Sequence, residues 1–116
     1  MAVLRIVRFT ADPDQADTLR QVRTALIAAT RERFDGLTET RLTRVDDSTW
    51  IDHWRWESAE HMQRALDSAA TIPGAGEAFA LISEPSPTVA EIVDEDYQDD
   101  EDDQDRATDD NDEAAK

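Results

Sequence analysis

Cysteine is absent from this chain of 116 residues, glycine occurs three times and proline four. Without cysteine there is no disulfide framework, no thiolate metal site and no cysteine nucleophile, and a reducing compartment, the cytoplasm, is the expected setting. Apolar runs never exceed a few residues, so neither a bilayer-spanning helix nor the apolar stretch of a signal peptide is expected. Positive charge is scarce too: 12 Lys and Arg stand against 28 Asp and Glu, a formal net charge of -16. Binding a phosphate backbone needs a basic surface, which argues against nucleic acid as a partner. What remains reads as a soluble acidic chain, long enough for one domain with its own core.

The charge is unevenly placed. Residues 1–93 hold 15 acids and 10 arginines, whereas residues 94–116 hold 13 acids and two bases. That last stretch contains one aromatic, Tyr97, and no Leu, Ile, Val, Phe or Trp. It cannot bury enough apolar surface to offset an ordering entropy of roughly 1–2 kcal/mol per residue. The expectation is a folded domain over residues 1–95 and a disordered acidic tail over 96–116. The tail serves solubility or, alternatively, meets a basic partner.

Within the folded part, Ala2 to Thr10 is rich in β-branched and aromatic residues and reads as a strand, apolar on both faces. Asp12-Pro13-Asp14-Gln15 has the composition of a helix start, with Asp12 as cap and Gln15 completing a capping box. Ala16, Leu19, Val22, Leu26, Ile27, Thr30 and Phe34 then recur at helical spacing until Gly36. Leu37–Val45 and Thr49–Glu57 form a hairpin about Asp46-Asp47-Ser48. Ser58 caps a second helix with the stripe Met62, Ala65, Leu66, Ala69. A short helix over Glu77–Ile82 and a last strand over Thr88–Val93 follow. The order β-α-β-β-α-β is the α+β, ferredoxin-like arrangement: a four-stranded antiparallel sheet with helices on one face. Val3, Val7, Phe9, Ile51, Val89 and Val93 are expected on the other face. A second copy packed sheet to sheet would cover them, making a homodimeric α/β barrel.

The short Val-rich first strand, the long capped helix, the hairpin and the junction Trp56-Glu57-Ser58-Ala59-Glu60 together resemble the antibiotic biosynthesis monooxygenase family of dimeric α/β barrels. The resemblance spans roughly residues 1–95. It implies a homodimer with a pocket between sheet and helices in each subunit, and oxidation of polycyclic phenols to quinones by dioxygen without bound metal or flavin. Some relatives degrade haem, and a haem-binding or haem-degrading protein, or a non-catalytic dimer that binds a small ligand, is the alternative. Members often carry Glu or Tyr two residues before the strand-three Trp, and a His about eight residues after it. Here those places hold Trp54 and Arg64, and the helix histidine is His61.

Several residues could carry chemistry. Trp50, Trp54 and Trp56 alternate along the third strand and share a face with Asp52. That face is expected to meet the helices, matched by Leu4, Ile6, Leu42 and Ile92, so that the indoles wall a site for a small aromatic ligand or fill the core. Phe34 and Phe79 are candidates for the same lining. Asp52, if buried, would be a base for a phenol or an activated carbon; otherwise it pairs with Arg8, Arg23 or Arg44. Arg23 falls inside the Leu19–Ile27 stripe, where it could stabilise a developing anion or pair with Asp52. His61, near the start of the second helix, is a candidate base or haem ligand, or a half-buried surface residue. His53, Arg5, Arg41, Arg55, Glu39 and Glu91 are expected to form a polar network at the dimer interface. Two histidines without further clustering make no metal site, and no cofactor is expected.

Overall fold

The computed structural model describes residues 1–96. The acidic tail expected from residue 96 onward lies, apart from Asp96, outside the described residues. Strand β1 (Val3–Thr10) is followed by a single 3-10 turn and helix α1 (Ala16–Arg33). The hairpin β2 (Leu37–Arg44) and β3 (Thr49–Trp56) comes next, then α2 (Ala59–Asp67), α3 (Ala75–Ala80) and β4 (Ser83–Glu91). The four strands form one antiparallel sheet in the order β2-β3-β1-β4, the ferredoxin-like topology.

Local chemistry sets the boundaries. Asp12 accepts the Asp14 N–H at 2.9 Å, but the first turn closes as a 3-10 turn, and Gln15 makes no capping bond. At the far end of α1 the chain reverses through Gly36, whose φ of +104° lies in the left-handed region. A Cβ there would stand 2.6 Å from atoms of His61, so only glycine lets α2 approach this turn. Ser58 caps α2 by accepting the His61 N–H. The hairpin loop is held by the Asp46 carboxylate, which accepts the Ser48 and Thr49 N–H groups. Side-chain bonding from Thr49, then the Ser48 N–H, holds this carboxyl below its ordinary range.

Three sequence expectations shift. The short helix begins two residues earlier, at Ala75, just after Gly74 at φ +94°. The last strand extends back to Ser83, because Pro85 and Pro87 are accommodated on an edge strand. The larger correction concerns the faces of β1. In the register Val3↔Trp56, Arg5↔Trp54, Val7↔Asp52, Phe9↔Trp50, directly opposed residues share a face. Val3, Arg5, Val7 and Phe9 therefore lie with the tryptophans under the helices, and Val89, paired with Arg5, joins them. Leu4 and Ile6 belong to the open face with Ile51, His53 and Arg55, where Ile92 also lies. Arg5 thus leaves the expected polar network of the open face. So does Glu91, which opposes Val3.

The core under the helices forms two clusters, one at each end of the sheet. Val3, Ile27, Leu37, Trp56, Met62 and Ala65 make the first, with Phe34 packed against it. Phe9, Ala11, Leu19 and Trp50 make the second. Each fully buried large side chain contributes roughly 1.5–3 kcal/mol of transfer free energy.

Candidate functional site

Between these two clusters the helix face of the sheet is not filled. Along β1 the residues between Val3 and Phe9 on this face are Arg5 and Val7; along β3, those between Trp50 and Trp56 are Asp52 and Trp54. A cavity of about 150 Å³ opens over them, roughly the size that takes up a benzene-like ligand. Leu19, Arg23, Leu26 and Thr30 of α1 form one wall. Ala65 and Leu66 of α2 and the segment from Ala69 to Ile82 form the other, with Phe79 largely exposed at the rim.

The lining is apolar except for Thr30 and three charged side chains, Arg5 and Asp52 on the sheet and Arg23 on α1. Arg23 Nε donates to both Asp52 oxygens at 3.1 Å, and its NH2 donates to Oδ1 at 2.9 Å. Trp54 Nε1 donates to the same Oδ1 at 3.0 Å. Oδ1 therefore takes three hydrogen bonds and Oδ2 one, which leaves Oδ2 with lone-pair capacity toward a ligand. The two side chains are only 16% and 18% exposed, so the fork is part of the interior and ties α1 to β3. Trp54 and Trp56 lean together with ring centroids 6.4 Å apart. The Thr30 hydroxyl is satisfied by the Leu26 carbonyl at 2.7 Å, so it offers the cavity no unpaired donor.

Of the residues singled out in the sequence, the fold brings Asp52, Arg23, Trp54, Trp56 and Phe79 to this cavity. It does not bring Trp50, Phe34 or His61. Trp50 is buried in the second cluster with the Arg44 guanidinium 5.3 Å from its ring. Phe34 packs on the first cluster. His61 is tied into the start of α2: Nδ1 lies 2.6 Å from Ser58 Oγ and Nε2 3.7 Å from Glu57, with its ring against Gly36. Arg5, Val7 and Phe9 are lining residues that the sequence reading put on the wrong face. Their signal was the cross-strand register with β3, which β1, apolar on both sides, does not reveal alone. Burial pulls the Arg5 guanidinium below its ordinary value, and the Asp52 carboxylate opposes part of that shift. Among the described residues no three or more His, Asp or Glu side chains gather to hold a metal ion. No described helix is long and apolar enough to cross a membrane.

The open face of the sheet carries a second, shallower hollow of about 460 Å³. Arg55 forks onto Glu95 there, Arg41 pairs with Glu39 at 2.8 Å, and His53 meets Thr43.

A family model described as antibiotic biosynthesis monooxygenase matches residues 2–72. Among solved structures, SnoaB, a cofactor-independent oxygenase from Streptomyces nogalater, superposes with a TM-score of 0.66 at 20% identity, over 81% of this chain and 95% of its own. Rv0793 from Mycobacterium tuberculosis is similar at 28% identity and TM-score 0.58, over 82% and 98%. PA3566 from Pseudomonas aeruginosa is similar at 19% identity and TM-score 0.60, over 80% and 95%. No curated protein matches the chain.

Proposed function

The chain belongs to the antibiotic biosynthesis monooxygenase family, and from that premise we propose that it oxidises a small electron-rich aromatic with dioxygen, the substrate itself supplying the electrons. The observation that carries this reading is the half-open apolar cavity with a single forked carboxylate on its floor. The likeness in fold to SnoaB, a cofactor-independent oxygenase, supports it.

An aromatic ring fits against Trp54 and Trp56, and a phenolic hydroxyl reaches Asp52 Oδ2, the less occupied oxygen. Arg23 fixes that carboxylate in one orientation, so the acceptor is pre-placed when the substrate arrives. Loss of a proton gives a delocalised carbanion, which passes one electron to dioxygen. The resulting radical and superoxide recombine through a new C–O bond, and protonation yields a hydroperoxide. Elimination of water then leaves the carbonyl of a quinone, one oxygen atom going to product and one to water. The apolar walls exclude bulk water that would quench the anion.

The open sheet face, with Leu4, Ile6 and Ile92 among polar groups, is the surface by which two copies pair in this reading. Light scattering at micromolar concentration is expected to give a dimer mass; a clean monomer removes the pairing. The activity is tested by oxygen uptake with an anthrone-type phenol, with protein-dependent consumption of one dioxygen per quinone expected. Uptake no faster than without protein refutes the reaction.

A further inference from the structure

The charges around the cavity do not balance. Three ionisable side chains line it, Arg5, Arg23 and Asp52. Asp52 is engaged by Arg23 in a three-bond fork. That leaves the positive charge of Arg5, half-buried at the centre of β1. Among the described residues no hydrogen bond or ion pair holds its guanidinium. Glu91, on the same face two residues along β4, makes no ion pair with it. Its other surroundings in the cavity are Val7, Trp54, the aliphatic walls and, within electrostatic reach but already engaged by Arg23, Asp52.

An arginine always carries its charge, and partial removal from water without a partner is unfavourable. A fold that answers the charge of Asp52 with Arg23 yet gives the Arg5 guanidinium no acceptor has a place for one negative charge that the described residues do not fill. The guanidinium fork suits a planar carboxylate, which it binds through two parallel hydrogen bonds. The remaining lining dictates the rest of the ligand: flat, apolar and small.

We propose that Arg5 is the specificity-determining residue of this cavity and that the ligand is a small aromatic bearing one carboxylate, seated with the carboxylate on Arg5 and the ring against Trp54. This rests on the cavity being the substrate site, as in the function proposed above, where Arg5 has no role. The long-range field does not favour such a ligand. The chain's net charge of -16 repels anions, so any preference for one comes from a local contact.

The probes are 2-naphthoate and 2-naphthamide, which share a ring system and nearly a shape and differ in charge. Calorimetric titration of the full chain in about 0.15 M salt is expected to show naphthoate bound roughly tenfold or more tighter, the scale of a charge-assisted contact. In Arg5→Gln that preference, the ratio of the two affinities, should fall to less than about threefold; Arg5→Lys should keep a preference. Equal wild-type affinities for the two probes overturn the assignment while leaving the cavity as a binding site. A preference that survives Arg5→Gln places the anion on another residue and overturns it as well. If neither probe binds, the cavity is not the aromatic site, and the proposed function and this inference fall together. Should the variants fail to fold, the wild-type chain is read by NMR as well: the Arg5 side-chain Nε–H signal is expected to shift with naphthoate and not with naphthamide, and an unmoved signal overturns the assignment.

Discussion

Replacing Arg23 by methionine removes all three of the bonds it gives to Asp52 and leaves that carboxylate with the Trp54 N–H alone. Breaking one side of a fully buried ion pair costs about 3–5 kcal/mol, because the surviving charge is stranded. Here about a sixth of each side chain still reaches solvent and the cavity is half open, so the expected loss is about 2–3 kcal/mol. For a domain of this size that is a fall of roughly 10–20 °C in melting temperature. The companion change Asp52→Leu in the same chain removes the stranded charge and adds apolar surface. The double variant should then lose only about 1 kcal/mol, most of it the unpaired Trp54 N–H. Urea unfolding followed by tryptophan fluorescence gives each stability, and the cycle over wild type, both single variants and the double variant gives the coupling, expected at about 3 kcal/mol. A single variant that loses less than about 0.5 kcal/mol, or a double variant that loses as much as the two singles together, would refute the account of the fork as a structural tie between α1 and β3.

Three further outcomes follow from particular residues. Gly36→Ala places a Cβ 2.6 Å from His61 at a φ of +104°, and should destabilise by about 1–3 kcal/mol in thermal or urea unfolding; adding His61→Ala removes the ring but keeps the residue-61 Cβ 2.6 Å away, so it should recover only a minor part of the loss. Asp46 titrates below its ordinary value in the folded chain, so its contribution is fully present above the unfolded value of about 3.9 and is lost as pH falls through the lower folded one. An NMR titration of the Asp46 carboxyl should show that depressed midpoint, and Asp46→Asn should flatten the acid limb of the stability profile. Removing residues 97–116, which hold ten acids and two bases, takes the net charge from -16 to -8. Solubility should fall while melting temperature and probe affinity stay unchanged; a salt-sensitive gain in affinity on truncation would instead make the acidic segment regulatory.

The sequence by itself determined the order of elements, because each signal is local. The cap at Ser58, the reversal at Gly36 and the Asp46 turn depend on residues a few positions apart. The period-2 placement of Trp50, Asp52, Trp54 and Trp56 likewise assigned them to one face without reference to any other strand. It also left both Arg23 and its partner in view, since a charged residue inside an apolar helical stripe has to be answered from the sheet.

What only the tertiary structure decided was the phase of β1. Both of its faces are apolar, so alternation says which residues share a side but not which side meets the helices. The antiparallel register with β3 settles that, by setting Val3 against Trp56 and Arg5 against Trp54. The same register moves Arg5 from the open face into the cavity and sends Leu4 and Ile6 the other way. Packing also decided which aromatics are core and which are wall. Trp50 and Trp56 anchor the two clusters, Trp54 stands between them, and His61 is held by Ser58 away from the cavity. Such choices depend on how volumes fill the space between a sheet and three helices, a property of contacts distant along the chain that no local pattern encodes.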